Sequence, residues 1–171
     1  MSGIYIHIPF CNSKCAYCNF YSIASRSKID DYVEALKDEI VIRNQYLGNE
    51  EVKTIYFGGG TPSLLSTNQI GDILEALFEN YNIISYPEIT LEVNPDTIGK
   101  EKMFALKEVG INRISVGIQS FNDEDLKYLD RRHDSRHALQ VIDDLTSVNF
   151  NKLTLDLIYG IPTLTEESWN R

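Results

Sequence analysis

Short apolar, β-branched runs alternate with helix-period segments along the whole chain, and this alternation constrains the fold more than any other feature. IYIHI at 4–8, VKTIYF at 52–57, EITLEV at 88–93, RISVGI at 113–118 and KLTLDLIYG at 152–160 read as strands. The first interval, SKIDDYVEALKDEIVIRNQYL, puts Ile29, Val33, Leu36 and Ile40 on one helical face, with Ser27 as N-cap and Asp30 three residues later. In the second, STNQIGDILEALFENY, Ser66 and Gln69 have capping-box spacing and Ile70, Ile73, Leu74, Leu77 and Phe78 form the stripe. KEKMFALKEVG carries Met103, Leu106 and Val109, with Gly110 suited to a helix end, and SRHALQVIDDLTSV places Leu139, Ile142 and Leu145 together.

A β-α unit repeated with connections of this length calls for right-handed parallel crossovers. The expected class is α/β with a parallel sheet, either a barrel or a doubly wound sheet. No linker or low-complexity stretch divides it, and TEESWNR at 165–171 begins a further helix. A closed eight-stranded barrel takes ~250 residues. The 171 residues here therefore suggest a fragment, a barrel cut short after its fifth strand.

At 43% hydrophobic and 24% charged the composition is that of one soluble domain. MSGIYIHIPF lacks a basic leader region, and no run approaches the ~20 apolar residues of a membrane span, so a cytoplasmic protein is expected. The net charge of −9 opposes nucleic-acid phosphates, and the densest basic run, RRHDSRH from Arg131, is short and holds an acid. No nucleic-acid partner is expected.

The polar and glycine-rich oddities gather at strand C-termini. A cysteine loop follows the first strand and GGGTP (58–62) the second; Glu92 ends the third, Gln119 the fourth, and Asp156 lies in the fifth. That edge is where parallel α/β proteins build sites. GGGTP is neither a Walker A loop nor a dinucleotide fingerprint; its glycines either make a turn or admit a ligand to bare backbone. Period-two alternation sets Thr90 and Glu92 opposite Leu91 and Val93, and Gln119 on the face of Gly117. A carboxylate so placed in a covered sheet needs a partner, which ligand hydroxyls or an amine could supply. On local sequence alone Arg131, His133 and His137 read as surface residues.

All three cysteines fall in CNSKCAYC: Cys11, Cys15 and Cys18. An odd number in a reducing compartment speaks against a disulfide. Two metal readings stay open. One is zinc held by Cys3His, with His7 as fourth ligand. The other is an iron–sulfur cluster whose fourth iron has no protein ligand and is free to bind substrate or cofactor.

The spacing C-x3-C-x2-C resembles the signature of radical S-adenosylmethionine enzymes. YIHIPFC, GGGTP, EVNP, RISVGIQSF and DLIYGIP, in that order from Tyr5 to Pro162, resemble the oxygen-independent coproporphyrinogen III oxidase family. The resemblance implies a partial (β/α)6 barrel and a [4Fe–4S] cluster on Cys11, Cys15 and Cys18. It implies S-adenosylmethionine contacts from Tyr5, Tyr17, Gly59, Gly60, Thr61, Glu92, Gln119, Arg131 and Asp156, and a reductively formed 5′-deoxyadenosyl radical. Two features depart from the oxidases: Phe20 stands where they carry a fourth cysteine, and only ten residues precede Cys11. Both are similar to the family's haem-chaperone branch, whose haem-binding segment would lie beyond Arg171. The implied partners are haem or a porphyrinogen, an electron donor such as a flavodoxin or ferredoxin, and apo-haemoproteins. Two functions follow as expectations: haem binding and delivery, or oxidative decarboxylation of the propionates of coproporphyrinogen III to vinyls.

Overall fold

A computed structural model describes residues 2–170. The strands are β1 (Ser2–Ile8), β2 (Val52–Gly59), β3 (Ile83–Val93), β4 (Arg113–Gln119) and β5 (Leu153–Leu157). The helices are α1 (Ile29–Ile42), α2 (Thr67–Asn80), α3 (Lys100–Glu108), α4 (Asp123–Tyr128), α5 (Ser135–Ser147) and α6 (Glu166–Trp169). All strand pairs are parallel and the sheet order is β1-β2-β3-β4-β5. Strand order that follows chain order decides between the two expected architectures. A doubly wound sheet reverses direction part-way, whereas this sheet advances strand by strand as a barrel wall does. The helices touch in the sequence α1–α2, α2–α3 and α3–α5, so they form one layer on one face of the sheet.

Alternation along the strands divides the two faces. Ile55, Phe57, Leu91, Ile114, Val116 and Ile118 are wholly buried and share one hydrophobic cluster with Val33, Ile70, Met103, Leu106 and Leu145 from the helices. Each such side chain contributes about 1.5–3 kcal/mol of transfer free energy. Tyr56, Thr90, Glu92, Ser115 and Gly117 project the other way, as the period-two count for Thr90 and Glu92 expects. Leu155 and Leu157, on the edge strand β5, remain exposed.

Helix ends show where local sequence decides and where it does not. Ser66 Oγ accepts from Gln69 N at 3.1 Å and Gln69 Oε1 accepts from Ser66 N at 2.8 Å, the expected capping box. Ser66→Ala is expected to cost about 1 kcal/mol, read as a lower denaturant midpoint at unchanged slope. Ser27 does not cap α1. Lys28 occupies that position without a side-chain capping bond, and Asp30 instead accepts from Gln69 Nε2 at 2.7 Å, tying α1 to α2. On α5 Leu145 is buried and Ile142 packs partly buried against the core, as expected, but Leu139 is 55% exposed and its place on the buried face is taken by Ala138 and Val141. Phe78 likewise lies outside the buried stripe of α2.

The segment DEDLKY forms a helix, α4, that the apolar period did not announce. It ends in a left-handed residue, Asp130, with Asp130 N bonded to Lys127 O and Arg131 N to Leu126 O. This is the same 5→2 and 6→1 bond pair that closes α3 at Gly110, which was expected at that helix end. The turn after α4 delivers Arg131 to the C-terminal edge of the sheet. Among the described residues no helix is long and apolar enough to cross a membrane.

Candidate functional site

A cleft of about 630 Å³ opens at the C-terminal edge of the sheet. Cys11, Cys15, Cys18 and Tyr17 line it from above, Gly59, Gly60 and Thr61 from the β2 end, and Glu92, Gln119, Arg131 and Asp156 from β3, β4 and β5 and the turn after α4. Besides His7, only Tyr5 of the residues nominated from sequence stands outside. It is 58% exposed and stacks on Tyr56, with ring centroids 6.0 Å apart, so it reaches the cleft wall only through that ring.

The cysteine loop is pinned at its base. Cys11 N donates to Ile23 O at 3.0 Å and Ile23 N to Pro9 O at 2.7 Å, closing the loop through a Phe10–Ile23 bridge. Gly60 N donates to Ile8 O and Thr61 N to Phe10 O, both at 2.8 Å, which docks the β2 end under the loop. A Cβ on Gly60 would lie 2.7 Å from Phe10 O and 3.0 Å from Cys11 Sγ. Bare backbone here lets two chain segments approach, and the first of them carries a thiol. Gly59 adopts φ +115°, so the glycine run also makes its turn.

His7 is committed elsewhere. Its Nε2 is 3.0 Å from Tyr21 O and its Nδ1 3.2 Å from Tyr5 OH, so both ring nitrogens have partners away from the thiols. That removes the fourth ligand of the zinc reading. Nor do three or more His, Cys, Asp or Glu side chains among the described residues converge on one metal ion. A cubane asks for a different arrangement, because each thiolate meets its own iron. Three free thiols on one pinned loop fit it.

The cleft floor is charged. Glu92 accepts from Tyr56 OH at 2.8 Å and from Gly59 N at 3.2 Å; Asp156 accepts from Ser115 Oγ at 2.9 Å. No Lys or Arg among the described residues forms a salt bridge with either carboxylate. Burial, with the charge of Asp156 nearby, raises the pKa of Glu92 despite its two donors. A carboxylate held this way gains from an arriving cation. Burial also pushes the Tyr17 hydroxyl up to about 12, and that of Tyr56 higher, so both remain neutral donors.

Across the cleft Arg131 donates from Nη2 to Gly117 O at 2.7 Å and to Asn94 Oδ1 at 2.9 Å. Its Nη1 is 3.6 Å from Cys15 Sγ and 3.4 Å from Tyr17 OH. Asn94 Nδ2 donates to Thr61 Oγ1, which in turn lies 3.6 Å from Cys11 Sγ. One polar chain thus joins the arginine to two of the three thiols. The surface reading of Arg131 from local sequence is therefore wrong. Tyr56, Asn94 and Ser115 line the cleft too and were not nominated. Register could have found them: Tyr56 pairs with Thr90, Ser115 pairs with Glu92, and Asn94 sits inside the EVNP motif.

His133 is the larger correction. It is 4% exposed, with Nε2 3.2 Å from Ile118 O, rather than a surface histidine. Burial first, then the positive Arg131, lowers its pKa from 6.5 to about 4. Between those values the unfolded chain takes up a proton that the folded chain refuses. The contribution of His133 to stability is therefore complete above about pH 6.5 and is lost as pH drops towards 4, by on the order of 3 kcal/mol. Chemical denaturation at pH 7 and pH 4.5 should show this loss, and His133→Gln should remove the histidine's share of it.

A model of the radical SAM superfamily matches residues 5–171. The chain belongs to the radical SAM superfamily. Membership brings with it a [4Fe–4S] cluster and S-adenosylmethionine, the pair that the pinned thiols and charged cleft suit. The chain is similar to the heme chaperone HemW of Escherichia coli (strain K12), 38% identical over 162 residues that make up 94% of this chain and 43% of HemW. It is also 35% identical over 169 residues to the oxygen-independent coproporphyrinogen III oxidase of the same organism, covering 98% of this chain and 37% of that protein. The solved structure of that radical SAM enzyme, HemN, superimposes with a TM-score of 0.90 at 35% identity over 98% of this chain and 39% of HemN. This chain thus spans 37–43% of the length of these relatives. The five parallel strands and their helices are a sector of the radical SAM barrel.

Proposed function

We propose that this radical SAM chain serves haem metabolism, as the cluster- and S-adenosylmethionine-binding core, residues 1–171, of a protein of the haem-chaperone kind. The observation that carries the binding assignment is the charge layout of the cleft. Two carboxylates with no cation partner among the described residues, Glu92 and Asp156, line the cleft with Arg131 and three thiols. S-adenosylmethionine matches it, with an ammonium and sulfonium for the acids and a carboxylate for the guanidinium. Cys11, Cys15 and Cys18 hold the [4Fe–4S] cluster. Glu92, Gln119 and Asp156 take the ribose and amine, Arg131 the carboxylate, and the backbone of Gly59, Gly60 and Thr61 the methionyl side, with Tyr17 over the top and Tyr5 behind Tyr56. Bound there and reduced, the cluster and S-adenosylmethionine would supply radical chemistry through a 5′-deoxyadenosyl group.

Haem binding and delivery to apo-haemoproteins is favoured over decarboxylation by one position. Phe20, where the oxidases carry a further cysteine, lies 69% exposed at the cleft mouth. The alternative is oxygen-independent oxidation of coproporphyrinogen III, the activity in the name of one group of relatives. A flavodoxin or ferredoxin would supply the electron in either case, and the free thiols agree with a reducing compartment such as the cytoplasm. The deciding experiment is anaerobic incubation of the reconstituted protein with coproporphyrinogen III, S-adenosylmethionine and reductant, with products separated by chromatography. Haem transfer to an apo-haemoprotein is followed in parallel. Transfer without vinyl products is expected; steady decarboxylation assigns the alternative.

A further inference from the structure

β4 does not end as a regular strand. Val116 pairs with Leu155 and Gly117 with Asp156, but the next pair is Gln119 with Leu157, so Ile118 is one residue too many. The bulge re-aims the strand end. Gln119 itself adopts φ +71°, a left-handed conformation that is costly for a residue with a side chain. Such a conformation persists only when its surroundings hold it.

Three successive carbonyls do the holding. Gly117 O accepts from Arg131 Nη2 at 2.7 Å, and Gln119 O from Ile158 N at 2.9 Å. Between them Ile118 O lies 3.2 Å from His133 Nε2. A carbonyl can only accept, so Nε2 carries the ring proton and Nδ1 is bare. Nδ1 is also buried with no hydrogen-bond partner. The ring is therefore held through one bond, and that bond goes to the peptide joining Ile118 to Gln119. With the bulge so held, the Gln119 amide turns back into the cleft, its Nε2 2.9 Å from where a Cβ on Gly117 would sit.

We infer that His133 is a positioning residue: by clamping the Ile118 carbonyl it fixes the β4 bulge and aims the Gln119 amide at S-adenosylmethionine. This rests on the cofactor reading of the cleft given above. It differs from mere core filling, because it assigns the histidine's influence on the cofactor to Gln119 alone.

The test combines His133→Leu, which fills the space without a donor, His133→Gln, whose amide nitrogen can replace Nε2, Gln119→Ala, and the His133→Leu/Gln119→Ala double variant. S-adenosylmethionine affinity is measured by anaerobic calorimetry on reconstituted protein, with iron content determined for each sample. We expect His133→Leu and Gln119→Ala each to weaken binding about tenfold, the size of one lost hydrogen bond, at unchanged iron content. His133→Gln should stay within about twofold, and the double variant should bind no worse than Gln119→Ala. Additive losses in the double variant, or no rescue by glutamine, would overturn the inference. If His133→Leu does not fold, His133→Asn, whose amide is too short to reach the carbonyl, takes its place with the same expectations. Hydrogen exchange across residues 115–121 in protein without S-adenosylmethionine reads the clamp separately. It should quicken in His133→Leu and recover in His133→Gln; unchanged exchange also overturns the inference. Wild-type protein that binds no S-adenosylmethionine, with exchange still quickened in His133→Leu and recovered in His133→Gln, would refute the cofactor reading while leaving the clamp in place.

Discussion

Cys15→Ala is expected to abolish the brown colour and the iron of a reconstituted sample. Three thiols are all the chain has for the cluster, and each is assigned to a separate iron, so losing one leaves two irons without a protein ligand. The fold should survive. Cys15 is only half-buried, and the loop is held by the Phe10–Ile23 bridge and by Gly60 and Thr61 rather than by its thiols. Circular dichroism should therefore be unchanged while bound iron falls to background. Full iron stoichiometry in the variant would remove Cys15 from the ligand set.

Arg131→Ala should give the second large effect, in affinity rather than in the cluster. Removing one partner of a desolvated charge pair costs about 2–5 kcal/mol, so S-adenosylmethionine should bind about 30-fold more weakly or worse. Iron content should hold, because no thiol is lost. Arg131→Lys should not restore binding. The guanidinium reaches Gly117 O and Asn94 Oδ1 from one nitrogen while its other faces Cys15 and Tyr17, and an ammonium cannot span that set. Calorimetry on the three proteins decides it, and unchanged affinity would take Arg131 out of the site.

The strands were legible because β-branched runs flanked by turn residues have few other uses, and all five lie where those runs stand. Their order was not legible, since a barrel wall and a doubly wound sheet use the same β-α unit. Helix α4 escaped notice because DEDLKY buries only Asp125 and Leu126, and Asp125 is wholly buried through bonds from Ser120 and Thr163, which no hydrophobic period encodes. Missing α4 meant missing what its end delivers. Arg131 meets Cys15 across a separation of 116 residues, and locally it is one arginine in a polar run. Only the family resemblance pointed to it. His133 lay beyond both kinds of reading: a polar neighbourhood hid its burial, and its partner is a backbone carbonyl that leaves no trace in side-chain pattern. Glu92 was the opposite case, since alternation alone put a carboxylate where it would need a partner.

Three thiols holding a cluster with an iron open to S-adenosylmethionine would carry a distinctive spin signature. Electron paramagnetic resonance on anaerobically reconstituted, dithionite-reduced protein tests for it most directly, recorded with and without S-adenosylmethionine. A [4Fe–4S]⁺ signal that changes when S-adenosylmethionine is added is the expected result. A sample that holds zinc and gives no cluster signal would contradict it, and so would a cluster signal that S-adenosylmethionine leaves unaltered.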